Sequence, residues 1–211
     1  MPREHPVFTQ QLLKKVETAV ESAESGSGAE IVVVLARESG PYRDVSLTGG
    51  ALTAWIALGA ILHSSWNFHV DLVLIYVTLA FAFGTLITGR VCPLKRLLSR
   101  QRRRSQQVME RAKLCFHEET ISGTRDRTGL LLYYSRFERE LVLLPDLGVL
   151  THVPMARFHE ATQQFRKRSV SGSLEEALVD TIESLGPCLE KACPRREDDT
   201  NELHNRPRVI L

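Results

Sequence analysis

The sequence predicts an α/β fold, an α/β/α sandwich with a small central sheet, interrupted by a two-helix transmembrane hairpin. Two stretches, 45–62 and 72–89, are long, apolar and free of charge. Short apolar runs typical of buried strands lie on both sides of them, at 31–35 and within 128–146. Segments with helical periodicity flank these runs, an order that favours helices layered on a sheet.

The two uncharged stretches predict membrane-spanning helices over about 45–65 and 70–90. A spanning helix needs about 20 mostly apolar residues to cross the hydrocarbon layer. Small residues such as Gly49 and Gly50 would let the first helix pack closely against the second. The alternative, two core helices of a soluble domain, is disfavoured because too little chain remains to wrap both.

The charge pattern predicts the orientation of the hairpin. The connection at 64–69 has no Lys or Arg, whereas residues 90–113 hold nine of them and one acid. Basic flanks stay on the cytoplasmic side. We therefore expect a multi-pass protein with both termini in the cytoplasm.

The same basic segment bears on the partners. The rest of the chain carries 18 basic and 24 acidic side chains, so we expect no nucleic-acid partner. The run Arg100–Arg104 is expected to contact membrane lipid headgroups, a role shared by Arg102, Arg103 and Arg104.

The first soluble part is predicted to be a helix followed by a strand. Residues 7–24 place apolar side chains on one helical face, and Ser25–Gly28 ends that helix. Glu30 then opens a short buried strand over 31–35.

The second soluble part is predicted to hold a hairpin of two strands between helices. The expected elements are a helix over 103–119, strands over 128–135 and 140–146, and helices over 154–168 and 174–185. An isolated strand is not stable, so strand 31–35 must pair with these later strands. The predicted organisation is a domain in two parts, 1–44 and 92–192, split by the hairpin at 45–91 and followed by a flexible tail at 193–211.

These elements, taken in order, resemble the TPM domain family, and in particular a bacterial membrane-anchored subgroup. The matching segments are Glu30–Val34, Arg127–Ser135, Phe137–Arg139, Leu143–Val149, Glu176–Gly186 and the closing Asn201–Leu203. The resemblance implies an α/β/α sandwich at the bacterial inner membrane. It does not imply one activity, since some relatives are described as acid phosphatases, some as metal-binding and others as accessory proteins.

A phosphatase would need a nucleophile or a metal-activated water, together with cationic groups for the phosphate. The candidate acids are Asp126, Glu138 and Asp146, and the candidate phosphate-binding groups are Arg127 and Arg139. A divalent metal such as calcium or magnesium would belong to this hypothesis, although no ligand set can be assigned. The same residue types are common at exposed strand ends, where they have no catalytic role.

The preferred functional hypothesis is an accessory or interaction module held at the membrane, with a membrane protein as its partner. It rests on a complete fold without a recognisable catalytic set. The alternative is a membrane-bound phosphomonoesterase, and a third hypothesis is a lipid-surface sensor that uses Arg100–Arg104. The four cysteines have no framework spacing and are expected to be free thiols. The alternative is a disulfide or metal pair of Cys188 and Cys193, which are about one helical turn apart.

Overall fold

The computed structural model describes residues 8–65, 69–196 and 203–210. It is a mixed α/β structure with one small sheet. The helices are α1 (Gln10–Glu24), α2 (Arg43–His63), α3 (Val70–Arg90), α4 (Cys92–Leu98), α5 (Gln101–Glu118), α6 (Leu147–His152), α7 (Met155–Ser171) and α8 (Leu174–Ala192). The strands are β1 (Glu30–Ala36), β2 (Gly129–Ser135), β3 (Glu140–Pro145) and β4 (Arg208–Ile210).

The sheet has the order β3-β2-β1-β4. β1 pairs in parallel with β2, from Glu30 opposite Gly129 to Ala36 opposite Ser135. β2 and β3 form an antiparallel hairpin, as predicted. The prediction that the first strand pairs with strands encoded after both apolar stretches is therefore confirmed.

Alternate side chains of β1 and β2 fill two separate cores, one on each face of the sheet. On the first face, Ile31, Val33 and Leu35 pack with buried residues of α1, α7 and α8. On the second face, Val32 and Val34 pack with the buried face of α5. The interior of each of these two strands is apolar because both faces are covered.

Several elements differ from the sequence prediction. The last helix continues to Ala192, although Pro187 lies inside it. The second hairpin strand ends at Pro145, one residue earlier than predicted, and Asp146 is the N-cap of the six-residue α6, which was not predicted. Residues 208–210, expected to belong to a flexible tail, instead pair in parallel with β1 as β4.

Some of the predicted features lie outside the described residues. These are Val7 of the predicted first helix, the tip of the hairpin at 66–68, residues 197–200 and 211 of the tail, and Asn201 and Glu202 of the closing family segment.

By internal packing the chain divides into two units, Met1–Ser39 with Gln107–Leu211, and Gly40–Gln106. The first unit contains the whole sheet and both cores. The second contains α2, α3, α4 and the start of α5.

In the second unit, α2 and α3 pack against each other through small residues. A β-carbon added at Gly49 would overlap Thr88, and one added at Gly84 would overlap Thr53. The Thr53 hydroxyl donates a hydrogen bond across the pair to the carbonyl of Ala80, at 2.9 Å. Both helices are 21 residues long and are apolar enough to cross a membrane by length and composition.

Candidate functional site

Asp126, Arg127 and Asp146 lie at the same end of the sheet. β2 begins at Gly129 and β3 ends at Pro145, and the antiparallel register places these strand ends side by side. The Asp146 amide donates to the carbonyl of Gly129 at 2.8 Å, which fixes the end of the hairpin. The structure thus brings together two of the three predicted acids and one of the predicted arginines.

Asp146 is engaged in structural hydrogen bonds on both carboxylate oxygens. Its side chain is 5% exposed. Oδ1 accepts the amide of Leu147 at 2.8 Å, which caps the N-terminus of α6. Arg127 donates to the same carboxylate with two groups, Nε to Oδ2 at 3.2 Å and Nη2 to Oδ1 at 3.0 Å. Such a bidentate pair fixes the orientation of both side chains.

Arg127 also adopts an unusual backbone conformation, with φ at 55° in the left-handed region. This conformation costs free energy for a residue with a β-carbon. The carbonyl of Arg127 accepts the amide of Gly148 at 2.9 Å, and a β-carbon at Gly148 would lie 2.7 Å from that carbonyl oxygen. Gly148 therefore allows the close approach that holds Arg127 in place.

Asp126 lies at the same sheet end but is paired elsewhere. Its carboxylate forms an ion pair with Arg196 at 3.1 Å, and both side chains are about half exposed. Exposed pairs of this kind contribute about 0–1 kcal/mol to stability.

Glu138 and Arg139 lie at the opposite end of the sheet, in the turn that joins β2 to β3. β2 has seven residues, so roughly 20 Å of strand separates this turn from the end that carries Asp146. The structure does not bring Glu138 and Arg139 together with the other predicted site residues.

Glu138 is part of a buried polar network. It is 5% exposed, accepts the amide of Ser39 at 3.0 Å and accepts a short hydrogen bond from the Ser135 hydroxyl. The hydroxyls of Ser39 and Tyr133 are 3.0 Å apart. Burial raises the pKa of Tyr133 to about 12, so its phenol stays protonated at neutral pH. This network ties the residues after β1 to the β2–β3 turn.

The predicted lipid-binding arginines have three different environments. Arg102 is exposed. Arg103 forms a bidentate ion pair with Asp44. Arg104 donates to the carbonyl of Arg96 at 2.6 Å and to the Ser99 hydroxyl at 3.3 Å. These side chains therefore do not act alike.

Among residues 8–65, 69–196 and 203–210, no group of three or more His, Cys, Asp or Glu side chains could hold a metal ion. The four cysteines, all in this described part, are free. Burial raises the pKa of the Cys115 and Cys193 thiols, which keeps both protonated and weakly nucleophilic.

Glu24 is a carboxyl group with a strongly raised pKa, and no sequence pattern pointed to it. Burial raises its pKa to about 8 against the opposing hydrogen bond from the amide of Ile31, and the charge of Glu30 raises it further. The Ile31 amide donates to Glu24 Oε1 at 2.6 Å. The local sequence does not show that a glutamate in the last turn of a helix is buried, because other segments of the chain bury it.

A groove of about 480 Å³ lies on the outer face of α1 and α8. Lys14 and Lys15 lie on its α1 side, Val179 and Glu183 on its α8 side. None of the predicted site residues lines it.

No family model matches the chain, and no curated protein matches it. A solved structure is similar, the NMR structure of the BA42 protein from the psychrophilic bacterium Bizionia argentinensis. The two chains are 19% identical, the match covers 99% of each, and the TM-score is 0.59. At this identity the similarity shows a common fold and does not show a common activity.

Proposed function

We propose that this protein is a membrane-anchored accessory module of the TPM-like type, and that it acts by binding a membrane protein. In this proposal α2 and α3 form a transmembrane hairpin that interrupts an α/β/α sandwich. Both termini are on the cytoplasmic side of a bacterial inner membrane, and the basic segment after α3 contacts lipid.

The observation that carries the proposal is that each of the three candidate carboxylates is already hydrogen-bonded or ion-paired within the protein. Asp146 caps α6 and binds Arg127, Glu138 holds the turn after β2, and Asp126 pairs with Arg196. The first two are 5% exposed, and Glu138 is at the other end of the sheet. General acid–base or nucleophilic catalysis needs groups that converge on one reacting atom. This arrangement supports a structural role for Asp146 and for Glu138, whereas Asp126 takes part only in an exposed ion pair.

The rival function is a phosphomonoesterase. It is favoured by the meeting of Asp126, Arg127 and Asp146 at one sheet end and by the strained backbone of Arg127. In that reading Arg127 would bind the phosphate, although its guanidinium is already committed to Asp146.

Hydrolysis of an aryl phosphate by the purified full chain tests the two functions. The assay is run with magnesium, with calcium and with a chelator, on the wild type and on Asp146→Asn. We expect no turnover above a blank in any condition. Turnover that Asp146→Asn abolishes, in a variant that keeps the wild-type circular dichroism spectrum, would establish the phosphatase instead.

Site-specific photo-crosslinking tests the binding role directly. A photoreactive residue at Lys14, in the groove on α1 and α8, is expected to give a discrete adduct with one membrane protein in native membranes. The same residue at Val170, 85% exposed on α7, is the control and should give none. Identical adducts at both positions, or none at either, would count against binding through this groove.

The topology is tested separately with a reporter fused after Leu211 that is active only in the cytoplasm. Activity is expected. A reporter that works only when exported would refute the proposed orientation.

A further inference from the structure

Around α4 the second unit presents a surface that is both basic and apolar. Arg90, Arg100 and Arg102 are exposed, and Leu97 between them is 81% exposed. A helix that combines cationic side chains with exposed leucine is typical of a membrane–water interface.

The charge at this end of the hairpin is strongly one-sided. Residues 40–106 contain eight Lys or Arg and two acids, Asp44 and Asp71. Asp71 lies at the start of α3, and seven of the eight basic residues cluster at and beyond its last residue, Arg90. The basic end of the hairpin therefore has a single acid, Asp44.

Asp44 forms an ion pair with Arg103. The guanidinium donates to both carboxylate oxygens of Asp44, with Nη2 to Oδ1 at 3.2 Å and a shorter bond from Nη1 to Oδ2. The pair joins the first turn of α2 to the first turn of α5 and cancels the two charges. Arg103 is thus a positioning residue, and its charge is not available to an outside anion.

Arg104 is also used internally. Its Nη1 donates to the carbonyl of Arg96 at 2.6 Å and to the Ser99 hydroxyl at 3.3 Å, which satisfies polar groups at the C-terminal end of α4. The ammonium of Lys95 lies 5.1 Å from the ring centroid of Tyr42, a further contact that holds α4. These contacts fix α4 in one position at the base of α2 and α3.

We propose that the α4 surface binds the anionic headgroups of membrane phospholipids. Arg100 and Arg102 contact the headgroup phosphates, Leu97 enters the acyl boundary, and Arg103 and Arg104 position the surface without touching lipid. The inference rests on the proposed membrane anchorage and deepens it by separating two groups within the basic run. Charge complementarity and continuity with the hairpin favour lipid over a soluble anion.

Lipid selectivity of the reconstituted full chain tests the proposal. Electron paramagnetic resonance measures the association of spin-labelled phosphatidylglycerol relative to spin-labelled phosphatidylcholine in the same bilayer. The wild type is expected to prefer the anionic lipid. Arg100→Gln with Arg102→Gln is expected to lower this preference by at least about fivefold, since each charge near an anionic surface contributes about fivefold.

The matched control removes two exposed basic residues from the other unit, Arg166→Gln with Lys167→Gln. Its lipid preference is expected to equal that of the wild type. An equal fall of the lipid preference in the control would mean that the net charge of the protein sets this preference, and not the α4 surface. No fall in the Arg100 and Arg102 variant, or loss of the preference on adding millimolar inorganic phosphate, would overturn the proposal.

Asp44→Asn is expected to give a result that a merely structural role of the Asp44–Arg103 ion pair does not predict. It leaves Arg103 without its counter-charge, so the preference for phosphatidylglycerol should rise. Adding Arg103→Gln should return it to the wild-type value. An unchanged or lower preference in Asp44→Asn would refute the assigned role of Arg103.

Alkaline extraction of membranes separates this inference from the proposed anchorage. Wild type and variants are all expected to stay in the membrane, because α2 and α3 are unchanged. Release of the wild type would refute the anchorage, whereas retention with no lipid selectivity would refute the inference alone.

Discussion

At the scale of single residues, Glu24 predicts how stability depends on pH. Its carboxyl group accepts the amide of Ile31 at 2.6 Å, and its pKa is raised to about 8 first by burial. The folded state therefore holds a proton that the unfolded state releases near its usual pKa of 4.5. This contribution to stability is fully present below about pH 4.5 and is lost progressively as the pH rises to about 8.

Glu24→Gln keeps an acceptor for the Ile31 amide and removes the ionisation. We compare the free energy of unfolding of the variant with that of the wild type at pH 5 and at pH 8.5. The difference is expected to shift in favour of the variant by about 2 kcal/mol from the lower to the higher pH, a value that allows for the partial hydration of this half-buried side chain. Urea unfolding at the two pH values measures the difference. Glu21→Gln on the same helix is the control, and its difference from the wild type should change little. A constant difference for Glu24→Gln at both pH values would contradict the shifted pKa.

The candidate acids show what local sequence can and cannot establish about a site. Asp126 and Asp146 were predictable neighbours, because they flank the two outer ends of one β-hairpin. Glu138 lies in the turn of that hairpin, so the same pattern already placed it at the opposite end of the sheet. Asp146 before a short helix is a typical N-cap, a signal that the strand prediction over 140–146 concealed. The pairing of Asp126 with Arg196 depends on a contact between distant parts of the chain and had no local signal.

At the scale of elements, the strands with long apolar runs were predicted from the sequence, and the short elements were not. β1, β2 and β3 are buried on both faces and read as continuous apolar runs. β4 has three residues at the sheet edge, and its pairing with Val34–Ala36 depends on chain far away in sequence. α4 is short, and Gly89 and Pro93 flank the break at Val91 that separates it from α3, a local signal that the prediction of one basic segment did not use.

The packing of α2 on α3 predicts a contrast between two glycines. A β-carbon at Gly84 would overlap the side chain of Thr53, whereas one at Gly59 would meet no atom within 4 Å. Gly84→Ala must therefore separate the helices or displace Thr53 and its hydrogen bond to Ala80. Overpacking of this kind costs about 1–3 kcal/mol.

Thermal unfolding in detergent, followed by circular dichroism, measures this contrast. The midpoint is expected to fall for Gly84→Ala and to stay unchanged or rise for Gly59→Ala, because alanine has the higher helix propensity. Alanine favours the helix backbone over glycine, so a loss of stability in both variants would show that the overlap with Thr53 is not its cause. A loss in neither variant would contradict the close packing.

At the scale of the whole molecule, the apolar hairpin occupies a specific place in the chain path. β1 and β2 are parallel neighbours, and parallel strands require a long crossover connection. Here that connection runs from Arg37 to Thr128 and contains α2, α3, α4 and α5. The part of α5 after Gln107 covers the second face of the sheet, as the helix of a crossover does. The hairpin is therefore an insertion into the crossover of a β-α-β unit.

This placement predicts that the first unit folds without the insertion. All four strands and both cores belong to Met1–Ser39 and Gln107–Leu211, so their contacts do not depend on residues 40–106. Replacement of residues 40–106 by a flexible Gly/Ser linker should give a protein that is soluble without detergent. Circular dichroism and the dispersion of amide resonances are expected to show a folded α/β domain.

Residues 107–211 alone provide the control for that replacement. This fragment lacks α1 and β1, so β2 loses its parallel partner and the first core loses the buried face of α1. It is expected to show collapsed amide dispersion and no cooperative unfolding. A folded fragment would mean that β1 is dispensable, and an unfolded linker variant would mean that the insertion contributes to folding. Because α1 and β1 precede the insertion and β2 follows it, the predicted contrast measures what the β1–β2 pairing and the packing of α1 together contribute to joining the two parts of the domain.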